Sequence, residues 1–169
     1  MPVTDADRAA LGAQLGRVPR GLVDIAGRCV CGAPLVATTA PRLNDGTPFP
    51  TTFYLTHPAA VKGISTLEAR GVMHEMNDEL AANEELARVY ARAHEDYLAR
   101  RAALGDDVPE ISGISAGGMP SRVKCLHALL GHSLAVGRGI NPFGDRALDM
   151  LAAEGLWDTE RCWCEKDAA

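Results

Sequence analysis

The stretch Leu22-Val-Asp-Ile-Ala-Gly-Arg-Cys-Val-Cys-Gly-Ala-Pro-Leu-Val-Ala-Thr-Thr39 decides the fold. Two short β-branched runs, 22–30 and 34–39, flank Cys31-Gly-Ala33, which predicts a hairpin carrying Cys29 and Cys31 at its tip. Beyond it, Pro41-Arg-Leu-Asn-Asp-Gly-Thr-Pro-Phe-Pro50 is a connector stiffened by three prolines around an Asn-Asp-Gly turn. Thr51-Thr-Phe-Tyr-Leu-Thr56 then alternates as a third, antiparallel strand would. Before the hairpin, residues 6–16 place Leu11 and Leu15 four apart, either as a helix or as a packed arm, and Arg17-Val-Pro-Arg-Gly21 breaks that segment.

After the strands the period changes from two to 3.6. Pro58 suits a first helical position after Thr56 or His57, and Val61, Ile64, Leu67 and Glu68 run to a stop at Gly71. From Val72 to Leu104, Met73, Met76 and Leu80 mark one apolar face, and Leu86, Val89, Tyr90, Ala93 and Tyr97 mark the next. Asn83 ahead of Glu84 and Glu85 reads as an N-cap that splits this region into two helices. Residues 105–120 read as loop. Pro120 is expected to start a further helix to Val136, and Asp145 to cap a last one ending at Gly155, with 156–169 as a tail. The predicted architecture is α+β: a small antiparallel sheet near the N-terminus packed by about five helices in one domain, 1–169.

The 169 residues are 47% hydrophobic, enough for one continuous core. Seventeen basic and 22 acidic side chains leave a charge of −5, which argues against a nucleic-acid binder. No basic segment leads an apolar one at the start, and nowhere do about eighteen apolar residues run together. The expectation is a soluble, cytoplasmic protein that engages no membrane.

Chemistry concentrates in Ile114-Ser-Ala-Gly-Gly-Met-Pro-Ser-Arg-Val-Lys-Cys-Leu-His-Ala-Leu-Leu-Gly-His132 and in two Cys-x-Cys pairs, Cys29/Cys31 and Cys162/Cys164. In a reducing compartment such spacing points to metal ligation or to coincidence, in equal measure, rather than to a disulfide framework. Zinc takes about four N or S ligands, so segments must converge on one point. The candidates are Cys29, Cys31, Cys125, His132, Cys162 and Cys164. On a helix from Pro120, Cys125 and His132 share a face roughly 10 Å apart along the axis, and His127 points the other way. That helix cannot present all three to one ion. A metal would borrow ligands from elsewhere, first from the hairpin. The rival reading makes Cys125 a nucleophile, its thiolate favoured by a first helical turn and by Arg122 and Lys124, with His127 as the candidate partner.

Gly117 and Gly118 ahead of that helix could form a backbone nest for an anion, with Ser121, Arg122 and Lys124 as further donors. A Walker A loop is excluded, because Met119-Pro120 stands where Lys and Ser/Thr would be. The connector loop offers a second polar set in Arg42, Asp45 and Thr47. His74-Glu75 and His94-Glu95 each give half of a His-Glu-x-x-His motif, but positions 78 and 98 are Asp and Leu, so both read as solvated helix faces. His57 reads as a helix cap beside Pro58 before it reads as a ligand, though its place at a strand end keeps the second reading open.

Four motifs in order, Gln14-Leu-Gly-Arg-Val-Pro-Arg-Gly21, residues 41–51, Gly117-Gly-Met-Pro-Ser-Arg-Val-Lys-Cys-Leu-His127 and Asn141-Pro-Phe-Gly-Asp145, resemble the bacterial family "domain of unknown function 501" over about residues 11–155. The resemblance implies an actinobacterial setting, with genes beside those for enolase, a septum-formation initiator and an exopolyphosphatase-like enzyme. From this follows a housekeeping role near cell division or phosphate metabolism. It carries no catalytic residue to this chain, and Cys162/Cys164 lie beyond it.

Two functions are expected from these readings. One is a small metal-stabilised domain, with zinc as the metal, that binds an anionic small molecule at the glycine-rich helix start, in its stronger form as a hydrolase. The other is a non-enzymatic adaptor that offers the helical region Val72 to Leu104 to a protein partner.

Overall fold

The computed structural model describes residues 2–105 and 107–164. The hairpin forms as expected. Strand β1 (Leu22–Arg28) pairs antiparallel with β2 (Pro34–Thr39), and β2 with β3 (Phe53–Leu55), in the order β1-β2-β3. Every residue of β2 is buried, as befits the middle strand of a sheet covered on both faces. β3 is shorter than the alternation at 51–56 suggested. The Thr52 carbonyl accepts from the Thr39 amide, and the Thr52 amide donates to the Tyr97 hydroxyl at 2.7 Å.

Six α-helices pack around this sheet. α1 (Asp5–Leu15) is a true helix, started by a capping box in which Thr4 and Asp7 exchange side-chain and backbone bonds. α2 (Pro58–Ala69), α3 (Val72–Ala82) and α4 (Glu84–Ala102) follow the expected apolar stripes. Asn83 ends α3 and caps α4, its side chain accepting from the Leu86 amide at 3.0 Å. A single 3₁₀ turn, Pro109–Ile111, interrupts the next loop, and α5 (Leu126–Val136) and α6 (Pro142–Ala153) complete the fold.

α5 is the central element. It lies against the sheet so closely that a Cβ on Gly131 would come 2.8 Å from the Phe53 carbonyl, and one on Gly27 3.2 Å from that of Leu134. Around it the buried Tyr90, Tyr97, Phe143, Leu129 and Trp157 form a continuous core. Arg101 of α4 is buried without a carboxylate partner among the described residues. It donates instead to the carbonyls of Pro50, Ile111 and Ile114, which fastens both long loops to the helix.

Two helix starts differ from the sequence expectation. α5 begins at Leu126, not Pro120. The chain turns sharply at Gly117 and Gly118, both at positive φ, where a Cβ on Gly118 would meet the Arg122 carbonyl at 2.7 Å. The carbonyl of Gly118 accepts from the Ser121 and Arg122 amides, and that of Gly117 from Lys124 and Cys125, so these amides serve a turn rather than a helix. α6 begins at Pro142, not after Asp145, because Asn141 is its N-cap and accepts from the Gly144 amide. Asp145 instead accepts from Ser133 Oγ and the Gly139 amide. Of the segment read as a tail, 165–169 lie outside the described residues.

Candidate metal centre

The turn that joins β1 to β2 sets the first half of the centre. The Cys29 amide donates to the Ala33 carbonyl and the Gly32 amide to the Cys29 carbonyl, both at 2.8 Å, and Gly32 takes the left-handed conformation this requires (φ +92°). Cys29 and Cys31 therefore project from one tight loop. Arg28 steadies it, because one guanidinium nitrogen reaches both the Gly32 carbonyl (3.0 Å) and the Asp7 carboxylate (2.6 Å) on α1. The Ala33 amide and the neighbouring sulfurs of Cys164 and Cys162 lower the Cys31 thiol to about 7.

The second half comes from the segment after α6. The Leu156 amide still bonds back to the Leu151 carbonyl, and the Trp157 indole is buried against α2, where Gly63 leaves room: a Cβ there would lie 3.6 Å from that of Trp157. Asp158 accepts from the Glu160 and Arg161 amides and turns the chain, and Arg161 lies 4.0 Å over the Trp163 ring. Cys162 and Cys164 are thereby delivered to the hairpin tip.

All four sulfurs of Cys29, Cys31, Cys162 and Cys164 lie within 4.8 Å of one another. Cys31 Sγ is 3.4 Å and Cys29 Sγ 3.9 Å from Cys164 Sγ. A disulfide would hold two of them at about 2.05 Å, whereas zinc bound at about 2.3 Å separates its tetrahedral sulfurs by about 3.8 Å. The observed spacing fits the second. Burial pushes the Cys29 and Cys164 thiols up while Cys31 is lowered, so these three sulfurs ionise unequally as they stand. A divalent cation is what allows such a set to ionise together.

His57 joins the centre rather than capping α2. It occupies the N-cap position without a side-chain cap bond, and its Nε2 stands 3.2 Å from Cys164 Sγ. The ring is 2% exposed, and its Nδ1 has no partner among the described residues. Burial lowers its pKa, which favours the neutral ring. Its place at the end of the third strand was the one sequence signal for such a role.

The other residues singled out from the sequence lie elsewhere. His132 sits in the core, its Nε2 2.9 Å from Asp96 and its Nδ1 3.1 Å from the Asn141 amide nitrogen, far from being an open ligand. Cys125 does not reach the hairpin cysteines. It is the extended N-cap residue of α5, and this brings it together with His127 and with Glu68 of α2, their donor atoms all within 4.8 Å. The opposite orientation expected of Cys125 and His127 assumed that both were helical. Glu68 was legible only as part of an apolar stripe, so its role here had no sequence signal.

Gly117 packs so tightly that a Cβ would lie 2.7 Å from the Leu129 side chain, while Ser121, Arg122 and Lys124 are exposed. In the connector loop Arg42 bonds Glu110 and the Gly46 carbonyl, and Asp45 accepts from the Thr47 amide and Arg20. Of the two half motifs, His74 is exposed, but His94 Nδ1 bonds Ser115 Oγ at 2.7 Å and is half-buried. Among the described residues no helix is long and apolar enough to cross a membrane.

Fold and sulfur cluster together define a small α+β domain with a four-cysteine centre. The chain belongs to the family described as "Protein of unknown function (DUF501)", which matches residues 25–149 and so includes Cys29 and Cys31 but not the second pair. It matches no curated protein and no solved structure.

Proposed function

We propose that the protein is a zinc-stabilised domain in which Cys29, Cys31, Cys162 and Cys164 hold one structural metal ion. The convergence of these four sulfurs from opposite ends of the fold carries the reading. A complete thiolate set leaves no open position for a substrate, which distinguishes a structural zinc from a catalytic one. His57 serves this site as an N–H donor to Cys164, the outer-shell role that orients a ligand and tempers its charge. The test is metal analysis of untagged protein. One zinc per chain, lost in Cys164→Ser, is expected; metal-free protein that keeps its full stability would overturn the reading.

A small-molecule role has its best support in a different place from the glycine-rich turn. A cavity of about 530 Å³ opens between the α1–β1 and β2–β3 loops, lined by Arg17, Arg20, Thr39, Phe49 and Tyr54 among others. The volume suits a drug-sized ligand. Arg17 has no carboxylate partner among the described residues, and Arg20 shares an exposed one, Asp45. A ring against Phe49 and Tyr54 with an anionic group towards Arg17 is the ligand this lining favours. Phenyl phosphate should raise the melting temperature of the parent protein and not of Arg17→Ala; no shift in the parent would remove this reading. The adaptor alternative draws little from α4, whose outer face carries its own ion pairs, Glu85 with Arg88 and Asp96 with Arg100.

A further inference from the structure

The second cluster differs from the first in kind. Glu68 and Ser65 lie three residues apart on one face of α2 and flank the His127 ring. His127 Nδ1 is 3.0 Å from Glu68 Oε1, and Nε2 is 3.1 Å from Ser65 Oγ. The same Glu68 oxygen accepts from the Leu126 amide at 2.7 Å and more weakly from the His127 amide, taking over the capping role that Cys125 leaves unfilled. The imidazole is thus fixed by a carboxylate that is itself fixed by the helix start.

We propose that Cys125, His127 and Glu68 form a thiol-based reaction centre that acts on anionic acyl compounds, with Cys125 as nucleophile, His127 as proton carrier and Glu68 as positioning residue. The arrangement has the three members such chemistry needs: a nucleophile, a base beside it, and a group that orients the base. Cys125 sits at the N-terminus of α5, where amides and helix dipole favour a thiolate. Burial pushes its thiol up, but the His127 side chain and the Ala128 amide outweigh this and leave it below the ordinary value. His127 is raised by Cys125 and, against burial, by Glu68. Both directions favour the thiolate–imidazolium form of the pair.

A metal at this cluster is disfavoured by the bonds already made. Glu68 Oε1 is committed to three N–H donors, His127 Nδ1 among them, whereas His127 Nε2 meets only the Ser65 hydroxyl, a partner that the reacting group would replace. The site is reachable, since the His127 side chain is 30% exposed. Arg122 and Lys124, exposed and without carboxylate partners among the described residues, precede Cys125 closely and favour a negatively charged substrate.

In acylation the Cys125 sulfur donates a lone pair to the carbonyl carbon and the carbonyl π pair moves to oxygen. Collapse breaks the bond to the leaving group, which takes the proton from His127 and departs as alcohol or thiol. In deacylation neutral His127 removes a proton from water as its oxygen attacks the thioester. Collapse returns the thiolate and releases the carboxylic acid. The net change is hydrolysis of one acyl bond.

The test uses the full chain with its metal in place, reacted with iodoacetamide and read by peptide mapping so that only Cys125 is scored. Cys125 should react at least about tenfold faster near pH 7 than in His127→Gln, with the pH profile displaced to low pH as for an activated thiol. Glu68→Gln, which keeps an oxygen for the Leu126 amide, should give an intermediate rate with the fold intact. Mono-4-nitrophenyl succinate should leave a succinyl adduct on Cys125 that persists longer in His127→Gln. Equal alkylation rates in parent and His127→Gln, or absence of the adduct, would overturn the proposal. So would a second zinc per chain that disappears in Cys125→Ser.

Discussion

Cys31 Sγ and Cys164 Sγ stand 3.4 Å apart although 133 residues of chain separate them. Three further groups, Cys29, Cys162 and His57, complete the contact. Because the unfolded chain offers no such preformed set, a metal held here would feed directly into folding stability. With zinc at a thousand times its dissociation constant the gain is about 4 kcal/mol. That is about 10 °C of melting temperature for a domain of this size. Cys164→Ser should show this loss in a thermal melt, and a chelator should lower the parent but leave the variant unchanged.

His132 is expected to matter for packing and not for metal. Its two nitrogens satisfy Asp96 and Asn141, so His132→Gln should cost about 2 kcal/mol through imperfect replacement of buried bonds. Zinc content should not change. Burial lowers its pKa in the fold, so the unfolded chain binds a proton more readily as pH drops below about 6.5. Stability of the parent should therefore fall from that pH downwards, and less steeply in the variant, as denaturant titrations at several pH values would show.

Asp7 gives an effect of the same sign in a more acidic window. The Arg28 guanidinium, followed by the Thr4 amide, holds its carboxyl well below the usual range. A depressed acid contributes stability in full above its unfolded value, about 3.9, and loses it as pH falls through the folded value. Asp7→Asn should cost about 1 kcal/mol at neutral pH, given that Arg28 is partly solvated. The gap between parent and variant should shrink below about pH 4; a gap that widened there in urea titrations would contradict the pairing.

Gly144 lies where α6 crosses α5, and an added Cβ would collide with the Leu129 carbonyl and Ser133 Oγ. Neither helix can yield without losing core contacts, so Gly144→Ala should destabilise by about 3 kcal/mol despite the better helix propensity of alanine. Chemical denaturation measures this directly.

The strands, the three helices from Pro58 to Ala102 and the split at Asn83 were legible because local rules and the fold agree there: alternation, a first-turn proline, a capping side chain. The start of α5 was not. Gly117, Gly118 and Pro120 imitate a helix entry, while the actual reason for the turn is a long-range one. Asn77 on α3 bonds both the carbonyl and the amide of Val123 and holds the chain extended until Leu126. The same limit applies to function. Spacing alone singled out Cys29/Cys31 and Cys162/Cys164 as candidate ligand pairs, and the structure brings the two together. Spacing could not reveal Glu68, or pair His57 with Cys164, because these contacts span 59 and 107 residues.

The order in which the four sulfurs are made has a bearing on how the centre assembles. The hairpin pair leaves the ribosome early and the second pair only after every helix has been synthesised. For most of translation a nascent chain would carry two thiols able to recruit a metal but unable to enclose it. Enclosure of an ion by all four sulfurs would then wait for α6, a chemical record that the helices of the described residues came first.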